Sequence, residues 1–422
     1  MHNRYEGVTT RFLRSDERLM ESDANELPFV IEAHHSKDVN FLQTFLAKYS
    51  TQILEDIAQY GAVLLRGFDV QSEHDFENTI LKIQGFKGIG DAFMSEQGRV
   101  PVGHLKYVLH TNSVYKTGGT LYLGGFHSEN YYSPDVPSYI SFCCLKPSKL
   151  GGETGLVQME KLYTQLDPAL KAKLEKNAFF VSKWLMSEVV ERYQVPAETI
   201  EQICAQFDLP IIGDDKDKFI LMYKPSVFTH PITQTQALQI NFFEIPSLNE
   251  EMRKHFMKDY EGKTWFWHRF VWRLPTFVLR LLELIYMSIA SMYSSPKESF
   301  HILKTKYQTR KAAKKIAPLM ANQTKVGSCF NEQEVKKLAQ LIRQYYSSIL
   351  WKKGDVLIVD NRKVAHAGMP GAGPRVIRAM IGNPLEMKYS HSASGHLYCK
   401  PRTTETIAYH LNEARNTRNM MR

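Results

Sequence analysis

Residues 124–129 read Gly-Gly-Phe-His-Ser-Glu, and the rest of the sequence can be organised around them. His127 and Glu129 are two positions apart, so in a β-strand both side chains would point to the same face. An imidazole and a carboxylate directed at one point supply two of the three ligands of a 2-His-1-carboxylate iron site. The pair alone is a weak signal, because such residues are usually solvated or structural. The third ligand must come from a distant part of the chain.

A candidate third ligand follows a predicted buried strand near the C-terminus. The apolar run at residues 356–359, directly after Gly-Asp, is typical of such a strand. His366 follows it, and Arg375 and Arg378 lie on the next apolar segment. Three protein ligands leave metal positions open for a co-substrate and O2. A dicarboxylate co-substrate would need a guanidinium at its far end, because arginine pairs bidentately with carboxylate.

Five phrases occur along the chain in a specific order: Tyr-Gly-Ala-Val-Leu-Leu-Arg-Gly-Phe (60–68), His-Ser-Glu-Asn-Tyr-Tyr (127–132), Lys-Pro with Gly-Gly-Glu-Thr (146–154), Thr-His-Pro with Ile-Asn-Phe (229–242) and the segment 354–378. Together they resemble the taurine dioxygenase-like (TauD/TfdA) family of Fe(II)/2-oxoglutarate oxygenases. The nearest branch is that of the syringomycin-biosynthesis hydroxylases. Each phrase alone is moderate evidence, whereas the ordered set is specific.

The resemblance implies a fold and a site. The expected fold is α+β, a double-stranded β-helix (jelly-roll) core with flanking helices and a large helical insertion. His127, Glu129 and His366 match the iron ligands and are the expected catalytic residues. Thr154 and Arg375 match the residues that hold the distal carboxylate of 2-oxoglutarate.

Two further residues are candidates for substrate binding. Arg378 lies near the position of a second, substrate-facing arginine in relatives. There the two arginines are four apart and share a strand face, whereas Arg375 and Arg378 are three apart. A structural salt bridge is therefore the alternative for Arg378. Asn241 is expected either to line the substrate pocket or to make a hydrogen bond at a strand end.

The activity that the resemblance implies uses Fe(II), 2-oxoglutarate and O2. The co-substrate is decarboxylated to succinate and CO2 while the substrate is hydroxylated. The expected substrate is an amino acid or an amino-acid-derived small molecule of specialised metabolism, which some relatives receive tethered to an acidic carrier protein. Desaturation or ring formation is an alternative on the same site. Halogenation is disfavoured, because halogenating relatives lack the carboxylate that Glu129 supplies. An alternative of another class is an inactive oxygenase-like binding protein at a membrane surface.

Five segments are predicted: a flexible N-terminal arm (1–26), two parts of the oxygenase core (27–246 and 331–387), a helical insertion between them (247–330) and a C-terminal tail (388–422). The insertion joins an apolar run, 275–293, to a basic segment, 304–315. It could form a lid, a homodimer interface or an element on an anionic membrane surface. Its longest charge-free stretch, 284–296, is too short to span a bilayer, which takes about 20 residues.

The composition of the chain limits the classes of protein to which it can belong. The hydrophobic content of 43% and charged content of 23% are ordinary for a globular protein. The net charge of +9 favours acidic partners, but no nucleic-acid-binding motif accompanies it. The five cysteines are odd in number and form no C-x-x-C pair, which indicates reduced thiols and a cytoplasmic protein.

Near the N-terminus, residues 38–60 have the spacing of an amphipathic helix, with Asp38 as its N-cap and Gly61 at its end.

Overall fold

The computed structural model describes residues 4–94, 101–111, 125–275, 309–389 and 397–420, apart from short gaps at 177, 215–216, 310, 321–322 and 403. It also describes residues 277–279, 281–282 and 285. Most of the predicted apolar run and half of the predicted basic segment therefore lie outside the described residues.

Eighteen strands are described: β1 (Val8–Phe12), β2 (Phe29–Ala33), β3 (Ala62–Arg66), β4 (Leu109–His110), β5 (Asp135–Lys146), β6 (Leu150–Gly151), β7 (Thr154–Gln158), β8 (Phe179–Leu185), β9 (Ile211–Ile212), β10 (Phe219–Lys224), β11 (Val227–Thr229), β12 (Gln236–Leu238), β13 (Tyr346–Ile349), β14 (Val356–Asp360), β15 (Val364–Gly368), β16 (Gly371–Ala372), β17 (Val376–Tyr389) and β18 (Leu397–Pro401).

The α-helices with described bounds are α1 (Val39–Lys48), α2 (Ser50–Tyr60), α3 (Glu73–Leu81), α4 (Met159–Thr164), α5 (Pro168–Lys176), α6 (Met186–Tyr193), α7 (Ala197–Gln206), α8 (Pro246–Phe256), α9 (Phe266–Trp272), α10 (Glu332–Gln344) and α11 (Ile407–Met420). No helix in the described part of the chain is long and apolar enough to cross a membrane.

Two facing sheets form the core. The larger has the strand order β1-β2-β3-β14-β5-β17-β18, with β4 paired to β17, and the smaller has the order β13-β7-β15. Apolar side chains of both sheets meet between them, among them Leu64, Phe142 and Leu357 of the larger sheet and Leu156 and Val364 of the smaller. This sandwich is the predicted jelly-roll core.

Helices cover the outer face of each sheet. The outer side chains of the larger sheet, such as Val63 and Ile358, pack with Leu42 of α1, Ile57 of α2 and Phe76 of α3. The outer side chains of the smaller sheet pack with α4, α5, α8 and α10 in a second cluster. Because successive strand residues point to opposite faces, alternate residues of β15 and β17 belong to different layers.

The predicted helix at residues 38–60 is interrupted. Asp38 caps α1 by accepting a hydrogen bond from the Asn40 N–H, and Gly61 ends α2 with φ of +85°. Between them the chain leaves the helical conformation at Tyr49, which has φ of −109°. Both caps are therefore confirmed, but they belong to two helices.

The C-terminal segment is not the tail that the sequence suggested. Residues 385–389 of β17 pair with β18, and α11 follows. Ile407, Ala408 and Leu411 are fully buried against a cluster that includes Ile203 of α7. The apolar face of α11 holds this part of the chain on the core, although the segment is polar and basic in composition.

Candidate metal centre

One group of histidines and carboxylates in the described part of the chain could hold a metal ion: His127, Glu129 and His366. One ligand atom from each lies within 4.8 Å of the others. A Glu129 carboxylate oxygen is 3.8 Å from Nε2 of His127 and 3.6 Å from Nε2 of His366. Two imidazoles and one carboxylate are the donor set of non-heme Fe(II) oxygenases, so these residues fit that metal.

Backbone pairing brings the two histidines together. The N–H of His127 donates to the His366 carbonyl at 3.1 Å, and the N–H of His366 donates back at 3.0 Å. The His127 Nδ1 lies 2.9 Å from the Gly125 carbonyl. Since a hydrogen bond from Nδ1–H to a carbonyl fixes the tautomer, Nε2 is left as the ligand atom.

The segment around Glu129 is a bridge followed by a turn, and not the strand in which the two-residue spacing would place both side chains on one face. His127 makes an isolated bridge to His366, and residues 129–132 form turns. Asn130 has φ of +52°, a conformation that asparagine tolerates better than most residues. The histidine and carboxylate therefore converge because the chain turns, and strand alternation is not the cause.

Asn361 holds the Glu129 backbone in place, a role that the sequence did not reveal. Its side-chain oxygen accepts from the Glu129 N–H at 2.6 Å. Its amide donates to the carbonyls of Glu129 and Pro137 at 3.1 and 2.9 Å. Asn361 is fully buried, so these bonds satisfy groups that would otherwise be costly to bury.

A buried ion network fixes the backbone next to Asn361. The fully buried carboxylate of Asp360 accepts from Arg362 at 2.6 and 2.8 Å and lies 2.9 Å from the His230 Nε2. Although burial opposes ionisation, the charge and hydrogen bonds of Arg362 and His230 keep the pKa of Asp360 well below its usual range. The network therefore anchors the end of β14.

Thr154 and Arg375 lie together beside His366. On β7, Thr154 pairs with Gly368 of β15, two residues beyond His366. A Cβ atom placed on Gly368 would be 3.5 Å from Nη2 of Arg375. Trp351 donates its indole N–H to the Thr154 hydroxyl at 3.1 Å, which leaves the hydroxyl hydrogen able to donate to an anion.

Arg375 is suited to bind an anionic ligand. Its Nη1 donates to the Gly152 carbonyl at 2.6 Å, and no carboxylate in the described part of the chain forms an ion pair with it. Burial lowers the pKa of the guanidinium. A partly buried charge that has no carboxylate partner among the described residues is costly, so a carboxylate ligand at this position would be favoured. Thr154 and Arg375 could therefore hold the distal carboxylate of 2-oxoglutarate.

Arg378 is on the other face of the larger sheet. Ile377 and Ala379 point between the sheets, whereas Arg378 shares the outer face with Met380. There its guanidinium forms an ion pair with Glu73 of α3 at 3.0 Å. The structure places Arg378 in the salt bridge that the sequence left as its alternative role, away from the metal ligands.

Asn241 is close to the ligands and contacts the backbone between them. Its side-chain oxygen accepts from the Ser128 N–H at 3.3 Å. The residue thus supports the peptide that joins His127 to Glu129.

A cavity of about 320 Å³ opens onto Glu129. Its described lining consists of Gly90, Asp91, Ala92, Pro101, Leu109, Glu129, Asn130, Ile381, Asn412 and Arg415. Arg415 forms no hydrogen bond or ion pair with a described residue, whereas Asn412 donates to Asp91 at 2.9 Å. This contribution of α11 was not predicted from the sequence. The apolar spacing of residues 407, 408 and 411 was the available signal.

Comparison with known proteins identifies the family to which this geometry corresponds. The family model described as "Taurine catabolism dioxygenase TauD, TfdA family" matches residues 23–264. This range includes His127, Glu129 and Thr154. His366 and Arg375 lie outside it, and the fold brings them next to these residues. No curated protein matches the chain significantly.

Solved structures with similarity to the chain include a putative α-ketoglutarate-dependent taurine dioxygenase from Burkholderia xenovorans (11% identity, TM-score 0.46, covering 96% of this chain and 99% of that one). PvcB, an Fe, α-ketoglutarate-dependent oxygenase from an isonitrile synthetic pathway, has 12% identity and a TM-score of 0.44 over 89% of this chain and 92% of its own. AAD-2 in complex with Mn(II) and N-oxalylglycine has 12% identity and a TM-score of 0.40 over 89% and 97%. Since these scores are low, the assignment depends on the family match.

Proposed function

Because the chain belongs to the TauD, TfdA family of non-heme iron, 2-oxoglutarate-dependent dioxygenases, we propose that it hydroxylates an amino acid or an amino-acid-derived small molecule. The observation that carries the proposal is the convergence of His127, Glu129 and His366, with Glu129 in the lining of a cavity that also contains Asp91 and Arg415. When bound, Fe(II) together with 2-oxoglutarate and O2 would supply the oxidation: 2-oxoglutarate, O2 and a substrate C–H group would give succinate, CO2 and the corresponding alcohol.

Five residues of the chain would bind the metal and the co-substrate. His127, Glu129 and His366 would bind the metal. Thr154 and Arg375 would orient the co-substrate, since a hydroxyl and a guanidinium both donate to carboxylate oxygens.

The cavity supports the choice of substrate class. Pro101, Leu109 and Ile381 supply apolar lining against which the carbon atoms of a substrate could pack. Arg415 offers a cation and Asp91 an anion. These two charges complement the carboxylate and the ammonium of an amino acid.

The first experiment measures succinate release from 2-oxoglutarate by the protein loaded anaerobically with Fe(II), and then supplied with O2. Activity in the wild type and its loss in His127→Ala and Glu129→Ala would establish the dioxygenase reaction. A wild type that binds neither iron nor 2-oxoglutarate would favour an inactive binding protein.

The second experiment addresses the substrate. A panel of free amino acids is tested for stimulated succinate release and for a product that has gained one oxygen atom. With an accepted amino acid, Arg415→Gln should raise KM about tenfold to a hundredfold, the value of a hydrogen bond to a charged group. An unchanged KM would exclude Arg415 from substrate binding.

Variations of this function give distinguishable products. Desaturation or ring formation would yield a product with two hydrogen atoms fewer and no added oxygen. Delivery by an acidic carrier protein, which the net charge of +9 favours, would give turnover of the tethered amino acid and little of the free one. Charge reversal of the segment 304–315 should then slow turnover of the tethered substrate alone.

Residues 247–330 would be an insertion between two parts of one oxygenase core, and homodimerisation through it is an outcome that sedimentation can test. The free thiols of Cys143, Cys144, Cys204 and Cys329 support a reducing, cytoplasmic environment.

A further inference from the structure

The two candidate co-substrate residues, Thr154 and Arg375, are both tied to one short stretch of backbone, residues 152–154. Thr154 belongs to this stretch, and its hydroxyl accepts from the Trp351 indole at 3.1 Å. Arg375 joins it through Nη1, which donates to the Gly152 carbonyl at 2.6 Å. A displacement of the stretch would therefore move Thr154 and the hydrogen-bond partner of Arg375 together.

Glu153, the middle residue of the stretch, points away from Thr154. Its Oε1 accepts from the Tyr260 hydroxyl at 3.1 Å, and both side chains are fully buried. Tyr260 belongs to the apolar cluster on the outer face of the smaller sheet, whereas Trp351 belongs to the cluster between the two sheets. The side chains of Glu153 and Thr154 thus anchor the backbone from opposite faces of the sheet.

Trp265 makes a second contact between the segment that contains Tyr260 and this backbone. A Cβ atom placed on Gly151 would be 2.6 Å from Cη2 of Trp265, so the indole lies directly against the glycine. The rings of Trp265 and Tyr260 also touch edge-on, with centroids 4.7 Å apart, and both are buried. Residues 260–265 are therefore packed as one unit against residues 151–153.

Backbone pairing alone does not hold the stretch against this kind of displacement. The Gly152 N–H donates to the Pro370 carbonyl at 2.8 Å, and the Met369 N–H donates to the Glu153 carbonyl at 2.9 Å. Hydrogen bonds between neighbouring strands lie in the plane of the sheet, whereas side chains stand roughly perpendicular to it. Movement perpendicular to the sheet is therefore resisted mainly by the side-chain contacts on the two faces.

We propose that Glu153 and Tyr260 are positioning residues for 2-oxoglutarate, an inference that rests on the proposed function. Their hydrogen bond holds residues 152–154 so that the Thr154 hydroxyl and Arg375 act on the same carboxylate group. Neither residue touches the co-substrate, because the Glu153 side chain is on the other face of the sheet from Thr154. Residues 260–265 of the predicted insertion would thereby support the co-substrate site from outside the sandwich.

The first measurement is the affinity for 2-oxoglutarate of the full chain loaded with Fe(II), by calorimetric titration without O2. Tyr260→Phe deletes only the hydroxyl, and Glu153→Leu deletes the acceptor with little change in volume. Each should raise the Kd for 2-oxoglutarate about tenfold, since small displacements of positioning groups are costly. Iron content after desalting should stay at the wild-type level, because other contacts hold the three metal ligands.

Two further variants separate positioning from a general loss of stability. Tyr260→Phe combined with Glu153→Leu should raise the Kd no further than either substitution alone, because both remove the same hydrogen bond. Glu153→Gln keeps an oxygen that accepts from Tyr260, so it should recover most of the affinity lost in Glu153→Leu. Independent effects on stability would instead add in the double variant.

The matched control is Tyr163→Phe, which also removes a hydrogen bond from a tyrosine to a carboxylate, that of Glu175. It should bind 2-oxoglutarate as the wild type does. Wild-type affinity in both Tyr260→Phe and Glu153→Leu would overturn the inference and leave the proposed dioxygenase intact. An equal loss of affinity in the control, or a parallel loss of iron, would do the same. A wild type that binds no 2-oxoglutarate would overturn the proposed function, and this inference with it.

Discussion

His127 and His366 donate their backbone N–H groups to each other's carbonyl oxygens, at 3.1 and 3.0 Å, and their imidazole centroids are 4.6 Å apart. Two candidate metal ligands that are distant in sequence are thus joined as a β-bridge at the edge of the smaller sheet. The positions of the ligand atoms follow from this pairing and from the turn that brings Glu129 beside them.

Removal of a ligand should abolish metal binding without unfolding the chain. His366→Ala keeps the backbone pair with His127 and deletes one of three donors. We expect iron affinity and succinate release to fall by more than about a hundredfold, because even loss of an outer-shell partner costs about 10- to 100-fold. Iron content after desalting and 2-oxoglutarate turnover measure this. His104→Ala, at an exposed position, is the control and should retain both properties.

Asn361 should affect the metal through Glu129. Asn361→Ala removes the acceptor of the Glu129 N–H and both donated hydrogen bonds. We expect iron affinity to fall by about 10- to 100-fold, the range for residues that orient metal ligands. Titration with Fe(II) under anaerobic conditions measures the affinity. Asn78→Ala, on the exposed side of α3, should leave it unchanged, and an equal loss in both variants would contradict the role of Asn361.

The three candidate metal ligands, which the structure brings together, could be selected from the sequence because they are carried by phrases that keep their order along the chain. The sequence could not predict Asn361, because nothing local distinguishes this residue from any other asparagine after a strand. Its function arises from the proximity of Glu129 and Pro137, which only the packed sheets create.

The C-terminal helix shows a second limit of sequence reasoning. The polar and basic composition of residues 388–422 suggested a tail, yet Ile407, Ala408 and Leu411 of α11 are buried in a cluster that includes Ile203 of α7. For Arg378, in contrast, the spacing in the sequence was informative. The three-residue spacing from Arg375 already predicted that the two arginines would not share a face, and the structure places Arg378 on the outer face of the sheet.

These two arginines provide a matched pair of substitutions. Arg375→Gln should raise the KM for 2-oxoglutarate about tenfold to a hundredfold, since a hydrogen bond to a charged group contributes about 1.5–3 kcal/mol. Arg378→Gln should leave this KM unchanged. It should lower the free energy of unfolding by up to about 1 kcal/mol, because its partly exposed ion pair with Glu73 is lost. Steady-state kinetics and urea denaturation separate the effects, and a raised KM in the Arg378 variant would contradict this assignment.

Glu153 should make stability depend on pH. It is fully buried, its Oε1 accepts from Tyr260, and its Oε2 has no hydrogen-bond partner among the described residues. Burial raises the pKa of Glu153 from 4.5 to about 7, against the smaller opposing effects of the hydrogen bonds and of Arg375. The folded protein therefore keeps this proton to a higher pH than the unfolded chain does. The stability that the neutral carboxyl contributes is complete below about pH 4.5 and is lost as the pH rises to about 7, by up to about 3 kcal/mol.

Glu153→Gln removes this titration and keeps an oxygen that accepts from Tyr260. We expect the variant and the wild type to differ by less than about 1 kcal/mol at pH 5, a single neutral hydrogen bond being worth no more. At pH 8 the variant should be the more stable by up to about 3 kcal/mol, since only the wild type then carries a buried carboxylate. Urea denaturation of the metal-free protein at both pH values gives these differences. Glu55→Gln, at an exposed position of α2, is the control and should change the free energy of unfolding by the same amount at pH 5 and at pH 8. If Glu153→Gln also changes it by the same amount at both pH values, the Glu153 carboxyl is ionised at both.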